Sequence, residues 1–206
     1  MPEIYNQSDL LRARQFAARA RRDSLSSAQL TRADLRQADL AGANLAVATL
    51  RDAQLNNADL TGADMRGADL RGADLREARL AGALLAGALL SGAKVGGADL
   101  TRADLSGAHL AEADATRARL DGACLARATL HQTNLSNASL AGADLREARL
   151  LWTNLSGADL SGADLSGATL WWPNLSGANL SDARGDGAET VGVSLKWATP
   201  VGEEPQ

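Results

Sequence analysis

The sequence predicts an all-β fold in which the chain winds into stacked four-sided coils, and two periodic patterns support this. Leucine occupies every fifth position from Leu25 to Leu180, and the exceptions are Met65, Val95 and Ala115. Alanine recurs with the same period from Ala28 to Ala183, and its exceptions are Thr133, Thr153 and Pro173. The residue between each Ala and the next Leu is Asp or Asn in more than half of the repeats.

A period of five residues explains why the predicted coil has four sides. In a β-strand, residues i and i+2 point to one face, so the Ala and the Leu of one repeat share an interior. The chain must turn a corner within each repeat, because a straight strand would point the next Ala outward. Four corners of about 90° close a loop of about 20 residues, and stacked loops pair at the usual strand spacing of about 4.8 Å. An α-helix is excluded, since residues five apart would be rotated by about 500°.

Residues 1–24 precede the repeat, and we expect them to form a capping segment. Within them, residues 9–22 consist of good helix formers, and Ser8 or Asp9 is a suitable N-cap. This predicted helix covers the open first coil with its apolar residues, which are Leu10, Leu11, Phe16, Ala17 and Ala20. The alternative is a basic anchor for an anionic partner, formed by Arg12, Arg14, Arg19, Arg21 and Arg22.

Residues 25–185 are predicted to form the β-helix itself, with about eight coils and a height of roughly 38 Å at one strand spacing per coil. Its corners need a permissive backbone. Glycine often stands two residues after the leucine, as at Gly42, Gly62 and Gly162. Because glycine adopts positive φ without steric cost, these positions are suited to tight turns.

Residues 186–206 form the predicted C-terminal segment. Solenoids of this kind need caps at their ends. The apolar residues Val191, Val193, Leu195 and Trp197 alternate with polar or small ones, which is typical of a strand with one apolar face. The segment is therefore a degenerate last turn, a cap or a strand lent to a second subunit.

The repeated run Ala-Asp-Leu-x-x, as in Ala33-Asp34-Leu35, resembles the pentapeptide-repeat proteins, and the resemblance covers residues 25–185. It implies a right-handed quadrilateral β-helix; the handedness comes from the resemblance and not from the spacing. It says less about function, because the roles of the family are diverse. Some members protect type II topoisomerases such as gyrase by imitating the shape and charge of duplex DNA.

The charge pattern disfavours that activity for this chain. The outward residues sum to about +1 on the side of Leu30, 0 on that of Leu35, −3 on that of Leu40 and −2 on that of Leu45. Duplex DNA carries one negative charge per about 1.7 Å of its axis, so a rod that imitates it should be strongly acidic. The DNA-imitating relatives also tend to have Phe at central positions, where this chain has none. We expect no direct contact with nucleic acid and keep gyrase as the alternative partner.

The side of Leu30 carries the exceptional outward residues. Most outward positions hold polar residues or glycine, but this side holds apolar and aromatic ones at Leu89, His131, Leu151, Trp152, Trp171 and Trp172. Large exposed apolar patches mark interfaces, and Trp is enriched among the residues that dominate binding energy. These six residues are the predicted contact with a protein partner or with a second copy in a homodimer. The alternative is that the tail folds back and covers them with Val191, Val193 and Trp197.

Other functional classes find little support in the sequence. Of the two histidines, neither His109 nor His131 has a Cys or carboxylate cluster at metal-ligand spacing. No nucleophile triad or phosphate-binding glycine loop is present, so we expect no enzyme activity, metal or cofactor. No stretch is apolar enough to insert in a membrane. The single Cys124 and the absence of an apolar signal segment favour the cytoplasm, and the Arg- and Ala-rich composition favours a bacterium.

Together these observations predict a non-catalytic binding or scaffold protein that presents its Trp-bearing side to a protein partner. Modulation of a type II topoisomerase by DNA imitation is the second interpretation. A purely structural rod without a specific partner is the third.

Overall fold

The computed structural model describes residue 8 and residues 24–193, and within the latter range each rung of backbone pairs with the rung twenty residues later. Parallel bridges of this register run from Gln29–Thr49 to Asp164–Arg184. Three short strands extend the ladder on one side, namely β1 (Arg149–Leu151), β2 (Thr169–Trp171) and β3 (Glu189–Val191). They form one parallel sheet in the order β1-β2-β3. The predicted twenty-residue coil is therefore confirmed.

Two predictions about the ends concern residues that are not described. The helix expected over residues 9–22 and the part of the C-terminal strand beyond Val193 lie outside the described residues. The described chain does continue the ladder past residue 185, because Thr169 pairs with Glu189 and Trp171 pairs with Val191. Among residues 24–193, no helix is long and apolar enough to span a bilayer.

Hydrogen bonds account for every backbone N–H group of a typical repeat, such as Asp159 to Ala163. Its Leu160 and Gly162 donate to carbonyl groups of the next coil, at 2.7 and 2.8 Å. Ala163 closes the turn by donating to the Leu160 carbonyl, at 3.0 Å, and Asp159 donates to the previous coil, at 2.9 Å. The fifth N–H group, that of Ser161, donates to the Asp159 carboxylate at 3.0 Å. This last bond gives a physical reason for Asp or Asn at its position.

The turn position two residues after each leucine has positive φ, whatever residue stands there. Glycines such as Gly162, with φ of 65°, adopt it as predicted. Arg, Glu, Gln, Asp and Asn residues adopt it as well, and so do Val47, Trp152 and Trp172, with φ of 58°, 51° and 48°. The coil thus imposes a left-handed conformation that costs roughly 1–2 kcal/mol for a residue with a side chain.

The interior consists of the predicted Leu and Ala ladders, which are almost completely buried. Ala115, which replaces a Leu, is also buried. The ladder is less enclosed at its C-terminal end, where Leu175, Ala178 and Leu180 are only partly buried. The described end of the coil therefore presents apolar surface.

Two polar residues enter the core at Ala positions. Thr133 and Thr153 are fully buried, and each hydroxyl donates to a backbone carbonyl of the preceding coil at 2.7 Å. The acceptors are the carbonyl groups of Leu110 and Leu130. Because a buried hydroxyl with a partner costs little, the exceptions in the Ala frame are compatible with the fold.

Candidate protein-binding surface

Exposed apolar side chains gather on the side of Leu30, near the C-terminal end of the described coils. We define the tryptophan face as His131, Leu151, Trp152, Trp171, Trp172 and Val191. Trp152 and Trp172 are each 53% exposed, whereas Trp171 is 38% and Val191 39% exposed. Five of these residues were predicted from the sequence, and the structure brings them together.

The register of the strands builds this face as two adjacent columns. Leu151, Trp171 and Val191 pair in succession across β1, β2 and β3, so they form one column. His131 precedes Leu151 in the same column, as the bond from Gln132 N–H to the Leu151 carbonyl indicates. Trp152 and Trp172 form the second column and donate their backbone N–H groups to Trp171 and Val191 at 2.8 and 2.7 Å.

The aromatic rings contact one another in a continuous series. The indoles of Trp152 and Trp172 are stacked, with centroids 6.0 Å apart and planes inclined by 9°. The His131 ring packs edge-on against Trp152, with centroids 5.4 Å apart. Beyond Trp172 lies Gly192, where a Cβ atom would overlap Cδ1 of the Trp172 ring. The indole N–H groups of the three tryptophans find no acceptor among the described residues.

The backbone of both stacked tryptophans is strained. Positive φ is an outlier for a bulky side chain, and such outliers cluster at functional sites. Glycine occupies the same column at Gly72, Gly92 and Gly192, so the fold accepts the strain-free residue there. Two large rings at this position are thus not required by the turn itself.

The corner that follows the tryptophans differs from the others. In a regular repeat the Ala N–H group closes the turn, but at Thr133 this bond lengthens to 3.2 Å, and Pro173 has no N–H group to donate. The chain runs as the three-residue strands β1 and β2 at these coils, whereas isolated bridges are found on the other sides and at the earlier coils of this side. The exceptions in the Ala frame therefore coincide with a local change of backbone beside the tryptophans.

Polar groups flank the tryptophan face on both sides. Beyond the Trp column lies a ladder of side-chain amides, in which Asn174 donates to Asn154 at 3.2 Å and Asn154 to Asn134 at 3.1 Å. On the other side, Arg149 and Glu189 are exposed and form no ion pair with any described residue.

Leu89, the sixth predicted contact residue, lies apart from the tryptophan face. It pairs with His109, which pairs with Thr129, so Leu89 lies two coils below the rung of His131. Other exposed apolar residues are isolated on the neighbouring side, namely Leu84 and Val47. Leu89 thus contributes to a separate part of the same side.

Val191 is the member of the tryptophan face that the sequence analysis assigned to a covering tail. Its position twenty residues after Trp171 is the signal that places it in the same column. The degenerate sequence after residue 185 obscured this periodicity, because Leu and Ala are rare there.

Charges elsewhere on the coils are paired locally. Five Asp carboxylates accept two hydrogen bonds each from the guanidinium group of the Arg two residues later, and the pairs are Asp34–Arg36, Asp64–Arg66, Asp69–Arg71, Asp74–Arg76 and Asp144–Arg146. In the last four pairs these hydrogen bonds hold the pKa of the carboxyl group below its usual value. Further pairs join successive coils, as between Asp59 and Arg79 at 3.1 Å. Much of the acidic charge is therefore neutralised in place.

The remaining candidates for chemistry in the described part of the chain are Cys124, His109 and His131. The thiol of Cys124 is half-buried and donates to the Asp144 carboxylate at 3.9 Å. Residues 24–193 contain no group of three potential metal ligands. His109 and His131 lie on the same side in different columns, and His131 packs against Trp152.

Comparison with known proteins identifies the family. Segments covering residues 28–67, 68–107, 96–132, 123–162 and 163–199 match the pentapeptide repeats. Since these segments span most of the chain, the protein belongs to the pentapeptide repeat family, as its Ala-Asp-Leu runs predict. Members of this family form right-handed quadrilateral β-helices and are generally non-catalytic. No curated protein sequence aligns significantly with this chain.

Several solved structures of the same family are similar to this chain. HetL from the cyanobacterium Nostoc sp. strain PCC 7120, a pentapeptide repeat protein involved in heterocyst differentiation regulation, is 35% identical, with 89% of this chain and 94% of HetL covered and a TM-score of 0.44. Rfr23 from the cyanobacterium Cyanothece 51142 is 42% identical over 46% of this chain and 60% of its own, with a TM-score of 0.40. Full-length QnrB1, a plasmid-mediated fluoroquinolone resistance protein, is 20% identical over 68% of this chain and 84% of its own, with a TM-score of 0.34.

Proposed function

We propose that this chain is a non-catalytic binding protein whose tryptophan face docks a protein partner. The observation that carries the proposal is the pair Trp152 and Trp172, which are both exposed and both held at positive φ. The other coils place glycine or a polar residue in this column, so the turn does not require an aromatic side chain there. Trp side chains that are buried on binding dominate many protein interfaces, and nearby polar groups set the register.

The test of this function is the double variant Trp152→Gly/Trp172→Gly, since glycine already occupies this column at other coils. We expect the variant to fold and to lose at least tenfold in affinity for partners captured from a lysate of the source organism. Val47→Gly is the matched control, because Val47 is exposed, has positive φ and lies on another side. Equal capture by the wild type and the double variant would contradict the proposed function.

DNA imitation ranks second as a function. Arginine side chains neutralise the negative charges of Asp64, Asp69, Asp74 and Asp144. The acidic residues therefore do not form the continuous negative charge of a DNA duplex. A gyrase supercoiling assay discriminates the two functions. Inhibition or protection of gyrase at low micromolar concentration by both wild type and Trp152→Gly/Trp172→Gly would favour DNA imitation.

We also propose that residues 1–24 and 186–206 close the two ends of a coil of about eight turns, since solenoids need end caps. The part-exposed Leu175 and Leu180 support this at the C-terminal end. The cytoplasm of a bacterium is the proposed location, because the chain has one Cys and both HetL and Rfr23 come from cyanobacteria.

A further inference from the structure

We propose that the tryptophan face docks a second copy of this chain, packed antiparallel to the first. This inference rests on the proposed function and names its partner. The two copies are related by a two-fold axis that lies in the interface along the β2 rung, Thr169–Trp171. Such an axis reverses the order of the rungs, so that β1 of one copy faces β3 of the other.

The charges of the face are complementary under this reversal. Arg149, Thr169 and Glu189 pair in succession across β1, β2 and β3. Reversed about Thr169, Arg149 faces the partner's Glu189, and Glu189 faces the partner's Arg149. Both residues are exposed and neither forms an ion pair with the described residues of its own chain. Two symmetric ion pairs therefore flank the interface, as an isologous contact requires.

The apolar column is complementary in the same way. Leu151, Trp171 and Val191 pair across the same three strands. Reversal about Trp171 places Leu151 against the partner's Val191 and brings the two Trp171 rings together on the axis. Aliphatic contacts thus lie between the aromatic centre and the charged edge, which is the usual arrangement of an interface core and rim.

The overlap of three rungs sets the expected strength of the dimer. Three rungs at about 4.8 Å each form a contact smaller than the standard interface of roughly 1,600 Å². Contacts of this size are weak or transient, so we expect a dissociation constant on the order of 10 μM, within the range of small interfaces. Association must therefore be measured over a concentration series.

Analytical ultracentrifugation of the full chain and of charge-reversal variants tests the proposal. We expect the wild type to pass from monomer to dimer between about 1 and 200 μM. Arg149→Glu alone and Glu189→Arg alone should each weaken association at least about tenfold, because each opposes like charges. The double variant Arg149→Glu/Glu189→Arg restores opposite charges and should return within about threefold of the wild type. Arg102→Glu, an exposed arginine on another side, is the matched control and should leave association unchanged.

Two results would overturn the dimer. One is a wild type that stays monomeric throughout the series, whether because residues 194–206 cover the face or because the partner is a different protein. The other is a double variant that associates no better than the single variants. Circular dichroism of each variant verifies that the fold is retained. If the dimer is contradicted, the proposed protein-binding function still stands or falls by its own test. That test measures separately whether partner capture depends on Trp152 and Trp172.

Discussion

At the left-handed turn position, the type of residue decides both the backbone strain and what the chain exposes to solvent. The coil imposes positive φ on glycine and on large side chains alike, from Gly162 at 65° to Trp172 at 48°. A side chain there is strained, but it also projects from a corner and stays accessible. Trp152 and Trp172 use this position to expose stacked rings, and Gly192 leaves room for the second ring.

Replacing the two stacked tryptophans by glycine should therefore leave stability almost unchanged. Trp152→Gly/Trp172→Gly relieves strain of roughly 1–2 kcal/mol at each site. Part of this gain is offset because glycine raises the conformational entropy of the unfolded chain, an effect of about 0.4–1 kcal/mol per site. The double variant also removes an aromatic stack worth about 0.5–1.5 kcal/mol. We expect a net change in the free energy of unfolding below about 1 kcal/mol, measured by chemical denaturation. A loss above about 4 kcal/mol would indicate that the rings support the fold.

The buried hydroxyl of Thr153 gives a second prediction at the residue scale. Thr153→Val keeps the shape of the side chain and removes the 2.7 Å bond to the Leu130 carbonyl. We expect a loss of about 1 kcal/mol, the usual net value of such a hydrogen bond. Thr169→Val on β2 is the control, because Thr169 is only partly buried. Equal effects of the two variants in thermal unfolding would contradict a specific role for the Thr153 bond.

The repeat is the element of this fold, and its side chains complete the hydrogen bonding of its backbone. Four of the five backbone N–H groups donate to backbone carbonyls. The fifth donates to a side-chain oxygen two residues earlier, which belongs to an Asp carboxylate or an Asn carboxamide. Leu and Ala fill the interior, while the side chain of Asp or Asn accepts a hydrogen bond from the one backbone N–H group that has no backbone acceptor. The recurring triplet Ala-Asp-Leu is thus explained by packing and by hydrogen bonding together.

Asp159 tests this role of the acidic residue. Asp159→Ala removes the acceptor of the Ser161 N–H group and also a bond from Asn179 at 3.0 Å. We expect it to lower the free energy of unfolding by about 1–2 kcal/mol, because hydrogen bonds to a charged group are stronger than average. Asp159→Asn retains an oxygen acceptor and should lose less than half as much. If both variants were equally destabilised, charge would matter more than the acceptor.

At the scale of the whole molecule, the paired carboxylates make stability depend on pH. The pKa values of Asp64, Asp69, Asp74 and Asp144 are lowered by hydrogen bonds from arginine. A carboxyl group with a lowered pKa in the folded state stabilises the fold fully above its unfolded pKa, which is about 3.9. That contribution is lost as the pH falls through the lower folded value.

We therefore expect the unfolding midpoint in urea to be level from about pH 7 to 5 and to fall steadily below about pH 4. Removing two of these carboxyl groups by Asp69→Asn/Asp74→Asn should make the midpoint fall less steeply below about pH 4, since fewer groups bind protons on unfolding. A midpoint that rises on acidification would contradict the sign of these pKa shifts.

Much of the architecture was predictable because every repeat has the same pattern of apolar and polar residues. The period of five residues predicted the corners, the buried Leu and Ala ladders and the columns of residues twenty apart. Trp152 and Trp172 were placed side by side by counting alone, since a regular coil converts sequence separation into spatial position. The same counting places Leu89 several coils away from the tryptophans, although the sequence prediction had grouped all six residues because they share one side.

Other features followed from interactions between coils that no single repeat encodes. The hydroxyl bonds of Thr133 and Thr153 depend on a carbonyl group of the preceding coil. The membership of Val191 in the tryptophan face depends on the ladder continuing where the Leu pattern fades. The pairing of Asp with Arg depends on side-chain rotamers, which set whether a carboxylate is neutralised or left free.

The amino-acid sequence alone determined the four-sided coil, because small and large apolar residues at a period of five can be buried together only if the chain turns in every repeat. The tertiary structure decided which outward residues form a surface. Ring orientation, backbone strain at the turns and the distribution of unpaired charges depend on contacts across twenty-residue steps, and only the stacked coils bring those partners within reach of one another.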